Sequence, residues 1–162
     1  MNLLENSRNF EPTRHICKFG FELFDHATNN PLRYNILCDL YLKELTFEFI
    51  NKRTQEIKEV VGFKLSESAI NSLLPIVEWE KFEEYRDLPS GWEWDIANGN
   101  RGYRDGWGYK FWCLSECGNP LFQIYMDCVF DKEKLPPYEK LLGWVRTNYK
   151  HKKQLKGREM LW

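Results

Sequence analysis

Small apolar residues are nearly missing from this chain: three alanines and five valines occur in 162 residues. A core built without them must be filled by bulky side chains. No charge sign dominates either, with 23 Lys and Arg against 24 Asp and Glu and a formal net charge of −1. That balance excludes a dedicated nucleic-acid coat, a polybasic membrane binder and an acidic tail protein. Long apolar runs are absent as well. The longest, at 73–77, has five residues, against the roughly 18 needed to cross a bilayer as a helix. The first residues, Met1-Asn2-Leu3-Leu4-Glu5-Asn6, carry neither a basic cluster nor an apolar stretch, so a cleaved secretion signal is not expected and a cytoplasmic location is.

What is abundant is aromatic surface: 11 Phe, 8 Tyr and 7 Trp. The length suits one domain over residues 1–162, because dividing it would leave each half short of core. Five cysteines, at 17, 38, 113, 117 and 128, form an odd set. Without a leader they read as reduced, mostly buried thiols rather than a disulfide framework.

The hydrophobic period predicts an α+β fold. Over 13–24, His15, Cys17, Phe19, Phe21 and Leu23 alternate with polar residues, as a half-buried strand requires. A turn at 25–31 ends at Pro31, and a second strand is expected from Leu32. The phase of Tyr34, Ile36, Cys38 and Leu40 shifts to Leu45, Phe47 and Phe49, which places a bulge or corner near Lys43-Glu44. Ile57, Glu59, Val61, Phe63 and Leu65 resume the alternation, completing a meander of about four strands.

Ser66 then reads as a helix N-cap, followed by Ile70, Leu73, Leu74 and Val77 at helical spacing. Pro75 would cost about 3 kcal/mol inside a helix and little at its first position. Two helices, near 67–74 and 75–87, satisfy both constraints, with Ile76, Trp79 and Phe82 turned inward. A hairpin follows from Tyr109, with Trp112 and Leu114 on one side, a turn at Cys117-Gly118-Asn119, and a return strand through Phe122, Ile124, Met126, Cys128 and Phe130. Pro137 opens a last helix that buries Tyr138, Leu141, Leu142, Val145 and Tyr149. The residues from about 151 read as a basic tail. The order β4-α(α)-β2-α implies a mostly antiparallel sheet packed with two or three helices.

Chemistry-bearing patterns are few. Cys113 and Cys117 have no second pair at zinc-ligand spacing, so no metal or cofactor is expected. Three histidines are present, at 15, 26 and 151. None has a nucleophile placed beside it by sequence, and no catalytic residue is assigned. An RNA-processing role for His26 with the basic C-terminal block ranks last among the readings. The glycines of 99–108 match neither dinucleotide nor P-loop spacing, and the segment leads into a strand rather than a helix N-terminus.

Two features remain. Residues 88–109 hold five of the ten glycines and three of the seven tryptophans, and a connection this long tends to be functional. Arg101, Tyr103, Arg104 and Trp107 could clamp and stack a small ligand or nucleotide there. Just before it, 78–87 carries five acids and two bases. Glu80, Glu83, Glu84 and Asp87, continued by Trp92, Trp94 and Asp95, combine steering charge with anchoring aromatics, as a surface for a basic protein partner requires. In general character the chain resembles the immunity proteins of polymorphic or contact-dependent toxin systems. That resemblance implies a cytoplasmic inhibitor that neutralises a toxin or other partner protein; the ligand-binding reading is the alternative.

Overall fold

A computed structural model describes residues 10–25, 32–51, 53–83, 107–114, 120–127 and 136–157. Six strands form one antiparallel sheet: β1 (Lys18–Asp25), β2 (Leu32–Asp39), β3 (Glu44–Asn51), β4 (Ile57–Lys64), β5 (Trp107–Leu114) and β6 (Pro120–Asp127), in the order β4-β3-β2-β1-β5-β6. The fold is α+β. The first four strands make the expected meander, and the later hairpin adds to the opposite side of β1. Lys43, with φ of 54°, closes the corner between β2 and β3 where the hydrophobic phase shifts.

Alternation decides which side chains enter the core. Phe19, Phe21 and Leu23 of β1 lie beside Tyr34, Ile36 and Cys38 of β2, Leu45, Phe47 and Phe49 of β3, and Phe111 and Cys113 of β5, all buried. Cross-strand registry brings rings together, with Phe21 and Phe111 centroids 5.1 Å apart and Tyr34 and Phe49 5.8 Å apart. Such pairs add to area burial. Cys17, Cys38 and Cys113 are buried free thiols, as expected of a mostly buried set; Cys117 and Cys128 lie outside the described residues.

Helices cover this face: α1 (Glu67–Leu73), α2 (Glu80–Glu83) and α3 (Pro137–Tyr149). Ser66 caps α1, its hydroxyl accepting the Ala69 N–H at 3.1 Å. The second helix begins at Glu80, later than the reading of 75–87. Residues 74–79 are turns and a bridge instead, with the Ile16 N–H bonded to the Val77 carbonyl and the Trp79 N–H to the Arg14 carbonyl. Those long-range bonds satisfy backbone groups that a continuous helix would have used internally. The described part of α2 ends at Glu83.

The last helix matches its expected start and all five expected buried residues. It spans the sheet: Tyr138 stacks on Phe111 at 5.7 Å, and Tyr149 meets Phe63 at 5.1 Å. Beyond it, a 3-10 turn at Lys153–Leu155 buries Leu155 to 3% exposure. The stretch read as a basic tail therefore remains packed at least to that residue.

One expectation fails at the sheet. Ile57 and Glu59 were expected in the alternating apolar phase of β4, yet both are exposed, Ile57 at 56%. A register irregularity sets Ile57 opposite Ile50 while Glu59 stays opposite Phe49, so Lys58 is extra and the phase flips. In β5 the core side is Phe111 and Cys113, whereas Trp112 lies on the outer face over Gly20. No side chain other than hydrogen leaves room for that indole.

The outer face carries a charged row. Registry aligns Lys110, Glu22, Asn35 and Glu48 across β5, β1, β2 and β3. Arg33 bridges diagonally, with Nη1 3.1 Å from Glu22 and Nη2 donating to Gln55 at 2.6 Å.

Candidate functional site

Of the residues expected to bind a partner, Glu80 and Glu83 fall within the described chain, and both are exposed on α2. Glu84, Asp87, Trp92, Trp94, Asp95, Arg101, Tyr103 and Arg104 lie outside the described residues, as do His26 and most of 88–109. Trp107 opens β5, its backbone opposite Asp25.

A single helical turn such as the described part of α2 has little stability of its own. Here Phe82 fixes it, fully buried and stacked on Phe111 at 5.9 Å. The flanking Glu78 pairs with Arg14 at 3.0 Å and Lys81 at 3.3 Å. Lys81 also donates to the Pro75 carbonyl at 2.6 Å. Desolvation pulls the Glu78 carboxyl upward, but its bonds to Lys81 and Arg14 outweigh that and leave its pKa below the usual value. Lys81, the one cation in the described part of α2, is thus turned back along the chain, and Glu80 and Glu83 are exposed.

A second cluster joins the chain before β1 to the β2–β3 corner. His15 is 6% exposed, and its Nδ1 accepts the Glu11 backbone N–H at 2.9 Å. Burial, with the nearby Arg14 charge, holds its pKa below the ordinary imidazole value. The Cys17 thiol contacts the Tyr41 hydroxyl at 3.8 Å, and Phe10 meets Tyr41 edge-on at 5.2 Å. With Nδ1 occupied by a backbone donor, the imidazole fastens the segment before β1.

A third arrangement lies on α3 and was not anticipated. Glu139 is 6% exposed, and its Oε1 has no hydrogen-bond partner. Burial pushes its carboxyl up to about 8, against the opposing pull of Arg146. Arg146, seven residues on, has a buried Nε that also lacks a partner. Gly143 stands between them, and a Cβ built on it would meet nothing within 4 Å. By helical spacing all three share one flank, turned away from Trp144, whose indole N–H donates to the Ser72 hydroxyl at 2.9 Å. A glutamate in a first helical turn ordinarily reads as a favourable partner for the helix dipole. The period that marks Tyr138 and Leu141 as core gives no signal that Glu139 is buried as well.

Among the described residues no three His, Cys, Asp or Glu side chains come together as a metal site, and no helix is long and apolar enough to cross a membrane. No family model, no curated protein and no solved structure matches the chain.

Proposed function

We propose that this chain is a protein-binding module of the inhibitor or immunity type, acting in the cytoplasm, which docks a basic partner protein on the acidic surface that begins at α2. The observation that supports this reading is the anchoring of α2. Phe82 fixes the helix to the core, Lys81 folds back onto Glu78 and Pro75, and Glu80 and Glu83 face outward. A rigidly held acidic surface steers a basic partner at low entropic cost. Glu84, Asp87, Trp92, Trp94 and Asp95 follow directly in sequence and would extend it with further charge and with aromatic anchors.

The test begins with affinity capture from native lysate and identification of the bound protein. The purified partner is then titrated against wild type and a Glu80→Lys/Glu83→Lys variant at low and high salt. Affinity should fall by about tenfold or more in the variant and with rising ionic strength, since exposed charge pairs are screened beyond a Debye length of roughly 8 Å at physiological salt. Equal binding by both proteins at both salt levels would overturn the reading.

A further inference from the structure

The entry into α2 is held by a segment from far earlier in the chain. Residues 11–15 fold into one tight turn: the Glu11 carbonyl accepts the N–H groups of Arg14 at 2.9 Å and His15 at 2.8 Å, and the Glu11 N–H donates to His15 Nδ1 at 2.9 Å. That turn aims the Arg14 carbonyl at the Trp79 N–H, 2.8 Å away, while the Ile16 N–H reaches the Val77 carbonyl at 2.9 Å. Arg14 also pairs with the Glu78 carboxylate at 3.0 Å. The clasped residues lead straight into α2, since the carbonyls of Glu78 and Trp79 accept the N–H groups of Lys81 and Phe82 at 3.0 and 2.9 Å. The acidic helix therefore stands on the pairing of 14–16 with 77–79, and the His15 ring closes the turn that holds one side of it.

We propose that this clasp is an acid-released switch: protonation of His15 at Nδ1 frees 14–16 from 77–79 and loosens the base of α2. A neutral imidazole offers Nδ1 as an acceptor, whereas a protonated one carries hydrogens on both nitrogens. The Nδ1–H and the Glu11 N–H would then face each other across 2.9 Å with no acceptor between them, so the turn cannot stay closed as it stands. A charge created on a ring that is 6% exposed also lacks its hydration. The charged groups facing the ring are divided. Arg14 opposes the added proton and Glu78 and Glu11 favour it, with burial the largest influence and set against it. Toward the β2–β3 corner the imidazole meets Phe10, and the titratable groups on that side are the Tyr41 hydroxyl, against Phe10, and the Cys17 thiol, 3.9 Å from the His15 carbonyl. The effect on a bound partner rests on the protein-binding reading of α2; the clasp itself is a property of the chain alone.

The test is amide hydrogen exchange of the intact chain, followed by NMR from pH 7.5 to 5 and expressed as protection so that the intrinsic pH dependence of exchange is removed. The Ile16 and Trp79 amides should be less protected than that of Phe47 in the doubly paired β3, and should lose about threefold or more of their protection across that range. Imidazole nitrogen shifts should report the Nε2–H tautomer of His15 at pH 7.5 and titrate together with that loss. His15→Asn puts a carboxamide oxygen where Nδ1 stands and does not titrate, so its Ile16 and Trp79 protection should stay level with pH. Should that variant fail to fold, the coincidence of the His15 titration with the loss of protection in wild type decides. Protection that does not change with pH, a loss that persists in His15→Asn or is out of step with the His15 titration, or exchange of Ile16 and Trp79 at the Phe47 rate, which means that the clasp opens only with the whole molecule, each overturn the proposal. None of these readouts needs a partner, so a failed capture from lysate bears on the docking reading and not on the switch.

Discussion

At the scale of single residues, two buried titratable groups pull stability in opposite directions along the pH axis. Glu139 has a folded pKa of about 8, against an unfolded value near the ordinary 4.5. The unfolded chain therefore releases this proton first, and stability falls as pH rises from about 4.5 to 8, by at most roughly 4–5 kcal/mol from the size of the shift. His15 has a lowered pKa, so the unfolded chain binds its proton first and stability falls as pH drops below 6.5. Glu139→Gln should accordingly raise Tm more at pH 8 than at pH 5, which calorimetry across that range would measure; equal gains at both would contradict the assignment. Packing at Gly20 gives a second expectation. An added methyl would overlap the Trp112 ring, so Gly20→Ala should cost about 1–3 kcal/mol. Pairing it with Trp112→Leu should recover part of that loss in denaturant titrations.

At the scale of elements, local signals served where a segment's environment is uniform along its length. The alternation of Phe19, Phe21 and Leu23, the cap at Ser66 and the proline start of α3 all appear at their expected places. Ser66→Ala should cost about 1 kcal/mol by removing the Ala69 N–H acceptor. Failures fall where a distant segment sets the outcome. The pairing of 14–16 with 77–79 replaces the start of the second helix, and the edge position and extra residue of β4 turn Ile57 to solvent. Trp112 could not be assigned to a face from its own strand, because the space it fills is made by Gly20 of another. The acids at Glu80 and Glu83 were legible as an outward face because charge and helical spacing agree there. The burial of Glu139 and of the Arg146 Nε was not legible, since it depends on what packs against the flank of α3.

For the molecule as a whole, the aromatic excess of the composition is a tertiary device. Phe82, Phe111 and Tyr138 stack at 5.9 and 5.7 Å to join α2, β5 and α3, while Phe47, Phe63 and Tyr149 close the opposite side. Leu155 extends that packing past the end of α3, so Leu155→Ala should cost roughly 2–5 kcal/mol, the range for a buried leucine. A change below 0.5 kcal/mol in chemical unfolding would mean that the segment does not belong to the cooperative unit.

The strand order has a consequence for how the chain is made. The meander β1 to β4 is contiguous in sequence, but β1 takes its second partner from β5, which follows the whole α1–α2 region. During synthesis from the N-terminus, β1 leaves the ribosome with one side occupied by β2 and the other bare. Until residues 107–114 emerge, the nascent sheet presents a central strand as if it were an edge. In that interval it is most open to strand exchange with a neighbouring chain, a hazard the finished fold no longer carries at that strand.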